Sequence, residues 1–257
     1  MDLQIKDSLF VVTGASSGFG KAIATALSCE DATVIAVARD PEKLEALKEE
    51  SPDIESISLD ITRPESVDML LRQIGPRALS GIVLNAGGPP AKAFLETGLD
   101  DWDTAYSNIL RWKVALTHAI LPLFRKNNYG RYLYIESMST KQPLPNLVLS
   151  TSMRLAVTGF VKTFSSEVGK FGITANIIGP GYHMTPALER VIRKISEQKK
   201  RSPEEARKDL VRDVPVGRLG NTADFASLAV WLLSPFSSYI TGQTISVDGG
   251  AVMGIMG

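Results

Sequence analysis

From Leu9 onward the chain alternates short, almost wholly apolar runs with longer segments in which apolar residues recur every three or four positions. The short runs are rich in β-branched residues and predict strands over Leu9–Thr13, Thr33–Ala38, Ile54–Leu59, Gly81–Asn85, Tyr132–Glu136, Thr174–Ile178 and Thr244–Val247. The periodic segments predict helices over Gly18–Ser28, Pro41–Glu50, Pro64–Ile74, Asp100–Lys126, Leu149–Lys170 and Thr222–Leu233. Two of them open on proline, whose missing N–H costs nothing in a first turn. Strands apolar on both faces and separated by helices describe a parallel sheet covered on both sides. The expected fold class is therefore α/β, a doubly wound seven-stranded parallel sheet in a single domain. One stretch, 186–213, is charge-rich and carries no strand pattern, so it is expected to form a helical lid or insertion. No internal repeat or low-complexity linker marks a domain boundary.

Composition narrows the partners. Lys plus Arg and Asp plus Glu each number 28, so no net field draws the chain to nucleic acid or to an anionic membrane. A small-molecule ligand is expected instead. The single cysteine, Cys29, excludes an internal disulfide and a multi-cysteine metal site, and no metal is expected. The opening residues lack the basic and apolar regions of a signal peptide. No apolar run approaches the roughly 20 residues that span a bilayer. A cytoplasmic location is the expectation.

Candidate chemistry begins at Thr13-Gly14-Ala15-Ser16-Ser17-Gly18-Phe19-Gly20, between the first strand and the first helix. So tight a turn needs residues without Cβ, and the helix start behind it offers unpaired N–H groups and a positive dipole end to a pyrophosphate. Three glycines alone also describe a turn with no ligand. Other strand ends add weight. Asp60 and Ile61 follow the third strand, where a carboxylate suits an adenine amino group as well as it suits a helix cap. Asn85-Ala86-Gly87-Gly88 follows the fourth strand, and Pro180-Gly181-Tyr182-His183-Met184-Thr185 follows the sixth. Ligands of open parallel sheets lie outside the carboxyl ends of the strands, and all four segments fall on that edge.

Together these segments resemble the short-chain dehydrogenase/reductase family over nearly the whole chain. Thr13 to Gly20 matches the family's Thr-Gly-x-x-x-Gly-x-Gly, Asn85 to Gly87 its Asn-Ala-Gly, and Pro180-Gly181 with Thr185 its Pro-Gly-x-x-x-Thr. Val214 to Gly220, and Ile240 to Gly250, resemble the ketoacyl-reductase-like branch. The resemblance implies a Rossmann fold and an NAD(P) site contacted by Gly14, Ser16, Ser17, Gly18, Phe19, Gly20, Arg39, Asp60, Ile61, Asn85, Ala86, Gly87, Arg154, Pro180, Gly181 and Thr185. It also implies a homo-oligomer, tetramer or dimer, built through the long helices near Asp100 and Leu149. At the end of the second strand, Ala38 stands where an NAD enzyme usually carries a carboxylate. Arg39 beside it can pair with a 2′-phosphate. NADP(H) is favoured over NAD(H), although Asp40 could turn inward and Ser17 replaces a second basic residue seen in NADP-preferring relatives.

The resemblance fails at the catalytic residues. Relatives use a serine to bind the substrate oxygen, a tyrosine as general acid or base, a lysine four residues later, and an asparagine on the central helix. Alignment through Gly130 to Ser137 puts Ser137 at the serine's place. The tyrosine's place, thirteen residues on, holds Ser150, so Tyr-x-x-x-Lys has become Ser-x-x-x-Arg with Arg154. Ile109 occupies the asparagine's place. An aliphatic hydroxyl is far less acidic than a phenol, and a guanidinium does not give up its proton in a protein. Binding is expected to survive better than turnover by the usual route. His183 and then Tyr182 are the substitute proton donors to consider, against the plainer reading that both only pack near the cofactor. Glu136 and Lys141 flank Ser137 and read as solvated loop residues, and His118 as a structural residue at an interface. The basic residues of 186–213 alternate with glutamates and read as a solvated face.

Two functions stay open. One is an NAD(P)-dependent oxidoreductase of a carbonyl or alcohol with a non-standard centre. The other is an NAD(P)-binding protein without redox turnover, acting as a sensor, scaffold or partner subunit. The halohydrin dehalogenases, relatives with an arginine in their centre, keep the tyrosine and lack the glycine-rich loop, the reverse of this chain.

Overall fold

The computed structural model describes residues 2–255. Seven strands form one parallel sheet in the order β3-β2-β1-β4-β5-β6-β7. They are β1 (Leu9–Thr13), β2 (Thr33–Ala38), β3 (Ile54–Ser58), β4 (Leu79–Leu84), β5 (Gly130–Ile135), β6 (Ile173–Pro180) and β7 (Thr244–Val247). Strand order reverses between β1 and β4, which opens a crevice at the carboxyl edge where the two halves diverge.

The covering helices are α1 (Gly18–Cys29), α2 (Pro41–Glu50), α3 (Glu65–Ile74), α4 (Leu99–Ala105), α5 (Trp112–Asn127), α6 (Val148–Val168), α7 (Pro186–Lys199), α8 (Pro203–Val211) and α9 (Thr222–Leu233). Side chains alternate across a strand, so β1 divides its apolar residues between two cores. Leu9 and Val11 pack in one with Ile35, Ile82, Trp112, Leu116 and Val157. Phe10 and Val12 pack in the other with Ile23, Leu27, Val34, Phe225 and Ala229. Burial of both faces is why the strands carry no polar alternation.

Two expectations are modified, and a third, the helical stretch 186–213, gains detail. The helix expected over Asp100–Lys126 is broken by a π-helical turn, Tyr106–Arg111, between α4 and α5. There the Trp112 indole donates to the carbonyl of Asn108 at 2.9 Å. The stretch 186–213 contains two helices, α7 capped by Thr185 and α8 opened by a Ser202–Glu205 capping box. Their apolar sides meet through Leu188, Ile192 and Ala206, while Lys199, Arg201 and Arg212 pair with Asp209 on the surface. Glu136, expected in solvent, is buried.

Candidate active site

The turn after β1 is built on close backbone approach. Gly14 has φ +63°, and a Cβ on it would stand 2.7 Å from the Asn85 carbonyl oxygen; one on Gly20 would collide with the Gly14 carbonyl. Thr13 Oγ1 accepts the Asn85 N–H at 2.8 Å and ties the ends of β1 and β4 together. Ser17 is the N-cap of α1 and makes no side-chain cap bond, so the first N–H groups of that helix remain for an anion. Ser16 lies in the same turn, and Phe19 packs against His183 and Phe225. From the far side, Thr185 caps α7 by accepting the Leu188 N–H at 3.2 Å, and its methyl lies 3.5 Å from where a Gly18 Cβ would stand. The loop Pro180–Thr185 thus closes over the glycine turn. Gly181 lacks a Cβ where Asp248 presses against it.

At the adenosine end, the Asp40 carboxylate is committed to α2. It accepts the Lys43 N–H at 3.2 Å and pairs with Lys43 Nζ at 2.7 Å. Arg39 is exposed beside it. Asp60 accepts the N–H and hydroxyl of Thr62 at 3.2 and 2.7 Å. Burial alone would raise its carboxyl, but the Thr62 bonds with Arg39 and Arg63 nearby hold it below the usual range. Ile61 is buried next to it, and Asn85, Ala86 and Gly87 follow the end of β4, with Asn85 against Gly14.

At the other end, an ion cluster occupies the place where the family's catalytic groups are expected. Arg154 donates from Nε to Ser150 Oγ at 3.0 Å, one turn earlier on α6, and from Nη1 to Glu136 at 2.9 Å. The second carboxylate oxygen of Glu136 accepts from Lys113 Nζ. Lys113, Glu136, Ser150 and Arg154 are all buried. Burial, reinforced by the Arg154 charge, pulls the Lys113 ammonium below its ordinary value while Glu136 opposes the shift. Ser137, at the end of β5, caps a 3-10 turn by accepting the Ser139 N–H at 3.0 Å.

Sequence reasoning missed Lys113 and misjudged Glu136. The signal for Lys113 was its place on the buried stripe that runs from Ile109 of the π turn to Leu116 and Ile120 of α5, where a charge needs a partner. For Glu136 the strand register mattered, since its N–H still bonds to the Ile178 carbonyl at 3.0 Å and holds it inside.

The alternative proton donors are placed otherwise. His183 is 4% exposed, wedged edge-on between Phe19 and Phe225 and against Gly220, and burial depresses its imidazole pKa. That is a packing position. Tyr182 is half-buried between Met138, Val214 and Leu144 on one side and Leu188 on the other, with burial and Asp213 raising its phenol. The buried phenols of Tyr132 and Tyr134 both hydrogen-bond to Thr117 on α5, at 3.0 and 2.6 Å. His118 is exposed and lines a surface hollow of about 570 Å³ with Tyr106, Trp112 and Val114.

Comparison with known proteins agrees with this architecture. The family described as enoyl-(acyl carrier protein) reductase matches residues 14–252. The 3-oxoacyl-[acyl-carrier-protein] reductase FabG of Thermotoga maritima is 26% identical, with 98% of this chain and 100% of the relative aligned. L-xylulose reductase of Bos taurus is 29% identical over 97% and 98% of the two chains. Among solved structures, L-sorbose reductase of Gluconobacter frateurii, complexed with NADPH and L-sorbose, superposes with a TM-score of 0.93 at 26% identity, covering 99% of this chain and 100% of the other. YwfH, an NADPH-dependent reductase of bacilysin biosynthesis, gives 0.93 at 25% identity, covering 97% and 100%. The chain belongs to the short-chain dehydrogenase/reductase family, in its ketoacyl-reductase-like branch, and is an NAD(P)-dependent oxidoreductase of carbonyl and alcohol groups.

Proposed function

We propose that the protein prefers NADP(H), and that its Ser150–Arg154 pair orients and polarises a carbonyl oxygen without passing it a proton from a phenol. The observation that carries this reading is the 3.0 Å bond in which Arg154 Nε donates to Ser150 Oγ. A hydroxyl that accepts from a guanidinium keeps its own proton for another acceptor, and the adjacent charge makes that proton a stronger donor.

The residues fit a dinucleotide. The missing Cβ atoms of Gly14 and Gly20 and the uncapped start of α1 suit a pyrophosphate. Asp60 keeps acceptor capacity for an adenine amino group, and Arg39 suits a 2′-phosphate once α2 holds Asp40. Bound there, the dinucleotide supplies the hydride or takes it up. The protein's part is to hold the substrate oxygen with the hydroxyls of Ser150 and Ser137, and to keep Arg154 fixed through Glu136. Because arginine does not deprotonate, the alcohol's proton is exchanged with water. Tyr182 and the α7–α8 lid, 186–213, enclose the substrate.

The protein is proposed to work in the cytoplasm as a homo-oligomer. No helix among the described residues is long and apolar enough to cross a membrane. Tyr106, Val114 and Leu155 leave apolar surface on the π turn, α5 and α6, where a second copy would cover it.

Fluorescence titration with NADPH and NADH, followed by absorbance assays on carbonyl and alcohol panels, tests the reading. Tighter NADPH binding with turnover of a carbonyl is expected. Tight binding with no turnover across the panels instead makes this a dinucleotide-binding protein without redox activity.

A further inference from the structure

The chain leaves β7 at Val247, which pairs with Pro180, so the residues after it emerge on the same edge of the sheet as the cofactor loops. Asp248 folds them back, accepting the Gly250 N–H at 3.0 Å on one carboxylate oxygen and the Val252 N–H at 2.9 Å on the other. Gly249 and Gly250 sit at φ +65° and +85°, the left-handed region this turn requires.

The turn rests on three separate segments. A Cβ on Gly181 would stand 2.6 Å from that of Asp248, in the loop that closes over the glycine turn. The Val216 N–H, just beyond α8, donates to the Gly249 carbonyl at 3.1 Å. Gln142, in the loop that follows Ser137, makes the third contact with both ends of its amide. Its Nε2 donates to the Ala251 carbonyl at 3.3 Å, and its Oε1 accepts the Met253 N–H at 3.1 Å. An amide offers a donor and an acceptor side by side, whereas an ionised carboxylate or an ammonium could not make both bonds. Clasped in this way, Ala251 is buried with Met138 and Val214, and Val252 packs on the same cluster as Leu144 and Tyr182. Met138 adjoins Ser137, so an uncharged, mostly apolar wall starts beside the reacting oxygen and is completed by the C-terminal turn.

We propose that residues 251–253, clasped by Gln142, form a wall of the substrate site that receives the apolar substituent of the carbonyl compound. The inference rests on the oxidoreductase reading and adds the residues that set selectivity for that substituent. Gln142 is a positioning residue, acting through Val252. A contact far from the reacting carbon is made equally in the ground and transition states, so its loss raises KM and leaves kcat in place.

Absorbance assays of NADPH oxidation with octanal and with propanal test this on the full chain. The parent is expected to have the lower KM for octanal. Gln142→Ala breaks both bonds of the clasp and should raise the octanal KM roughly tenfold, with kcat little changed and a much smaller effect on propanal. Val252→Ser, which leaves the clasp intact and makes the wall polar, should act in the same direction. A clasp that only steadies the C-terminal turn would instead lower Tm and leave both KM values alone. Equal KM for the two aldehydes in the parent, an unchanged octanal KM in the folded variants, or no turnover of either aldehyde overturns the proposal. No turnover of any carbonyl by protein that binds NADPH overturns the oxidoreductase reading with it.

Discussion

Glu136 accepts from Arg154 Nη1 at 2.9 Å with a side chain that has no exposed surface, and its other oxygen serves Lys113. Removing the charge of Glu136 leaves the Arg154 guanidinium and the Lys113 amine buried with no carboxylate between them. Breaking a buried ion pair from one side costs about 3–5 kcal/mol, whereas replacing all partners with apolar residues of similar volume is often neutral. Glu136→Gln should therefore lower the unfolding free energy by about that amount in urea titrations. The triple variant Lys113→Met, Glu136→Leu, Arg154→Met should recover most of it. A Glu136→Gln protein as stable as the parent would show that the cluster is solvated.

Restoring the family's residue types tests whether position 150 limits the chemistry. The double variant Ser150→Tyr, Arg154→Lys supplies a phenol with an ammonium one turn away, a pair able to exchange a proton near neutral pH. Carbonyl reduction should rise at least tenfold and gain a titration in its pH profile that the parent lacks. Stopped absorbance assays on variant protein that folds and binds NADPH decide it. A rate no faster than the parent's means that residue 150 is not at the reacting oxygen.

Cofactor choice should depend on Arg39. A charge-assisted hydrogen bond is worth about 1.5–3 kcal/mol, so Arg39→Ala should weaken NADPH roughly 10- to 100-fold while NADH changes little. Fluorescence titration of both nucleotides measures the ratio. Equal losses for the two would place Arg39 away from the 2′-phosphate.

How much of this was legible in the sequence differs by element. Strand runs such as Leu9–Thr13 and Thr33–Ala38 were readable to the residue because both faces are buried and each run ends in turn residues. The glycine turn was readable because backbone approach at Gly14 and Gly20 admits no other residue. The π turn at Tyr106–Arg111 left no mark, since it adds a hydrogen-bond register shift to a helix whose apolar period continues on both sides. The Lys113–Glu136–Arg154 cluster joins residues 18 to 41 positions apart, so only the packed arrangement of α5, β5 and α6 brings them together. Glu136 looked like a loop residue because the β5 run ends beside it.

The buried imidazole of His183 gives a last expectation, on pH. Desolvation among Phe19, Phe225 and Gly220 lowers its pKa; the Gly181 carbonyl, Asp224 and Asp248 oppose this, and Arg218 adds to it. A histidine depressed in the folded state binds its proton more readily when unfolded, where its pKa is about 6.5. Its contribution to stability is thus fully present above that pH and is lost as pH falls toward the folded value. Thermal unfolding between about pH 7.5 and 5 should show Tm falling on acidification, by linkage. His183→Leu, with no proton to bind, should reduce that slope. An undiminished slope in the variant would mean that His183 takes up its proton equally in the folded and the unfolded chain, so that burial does not depress it.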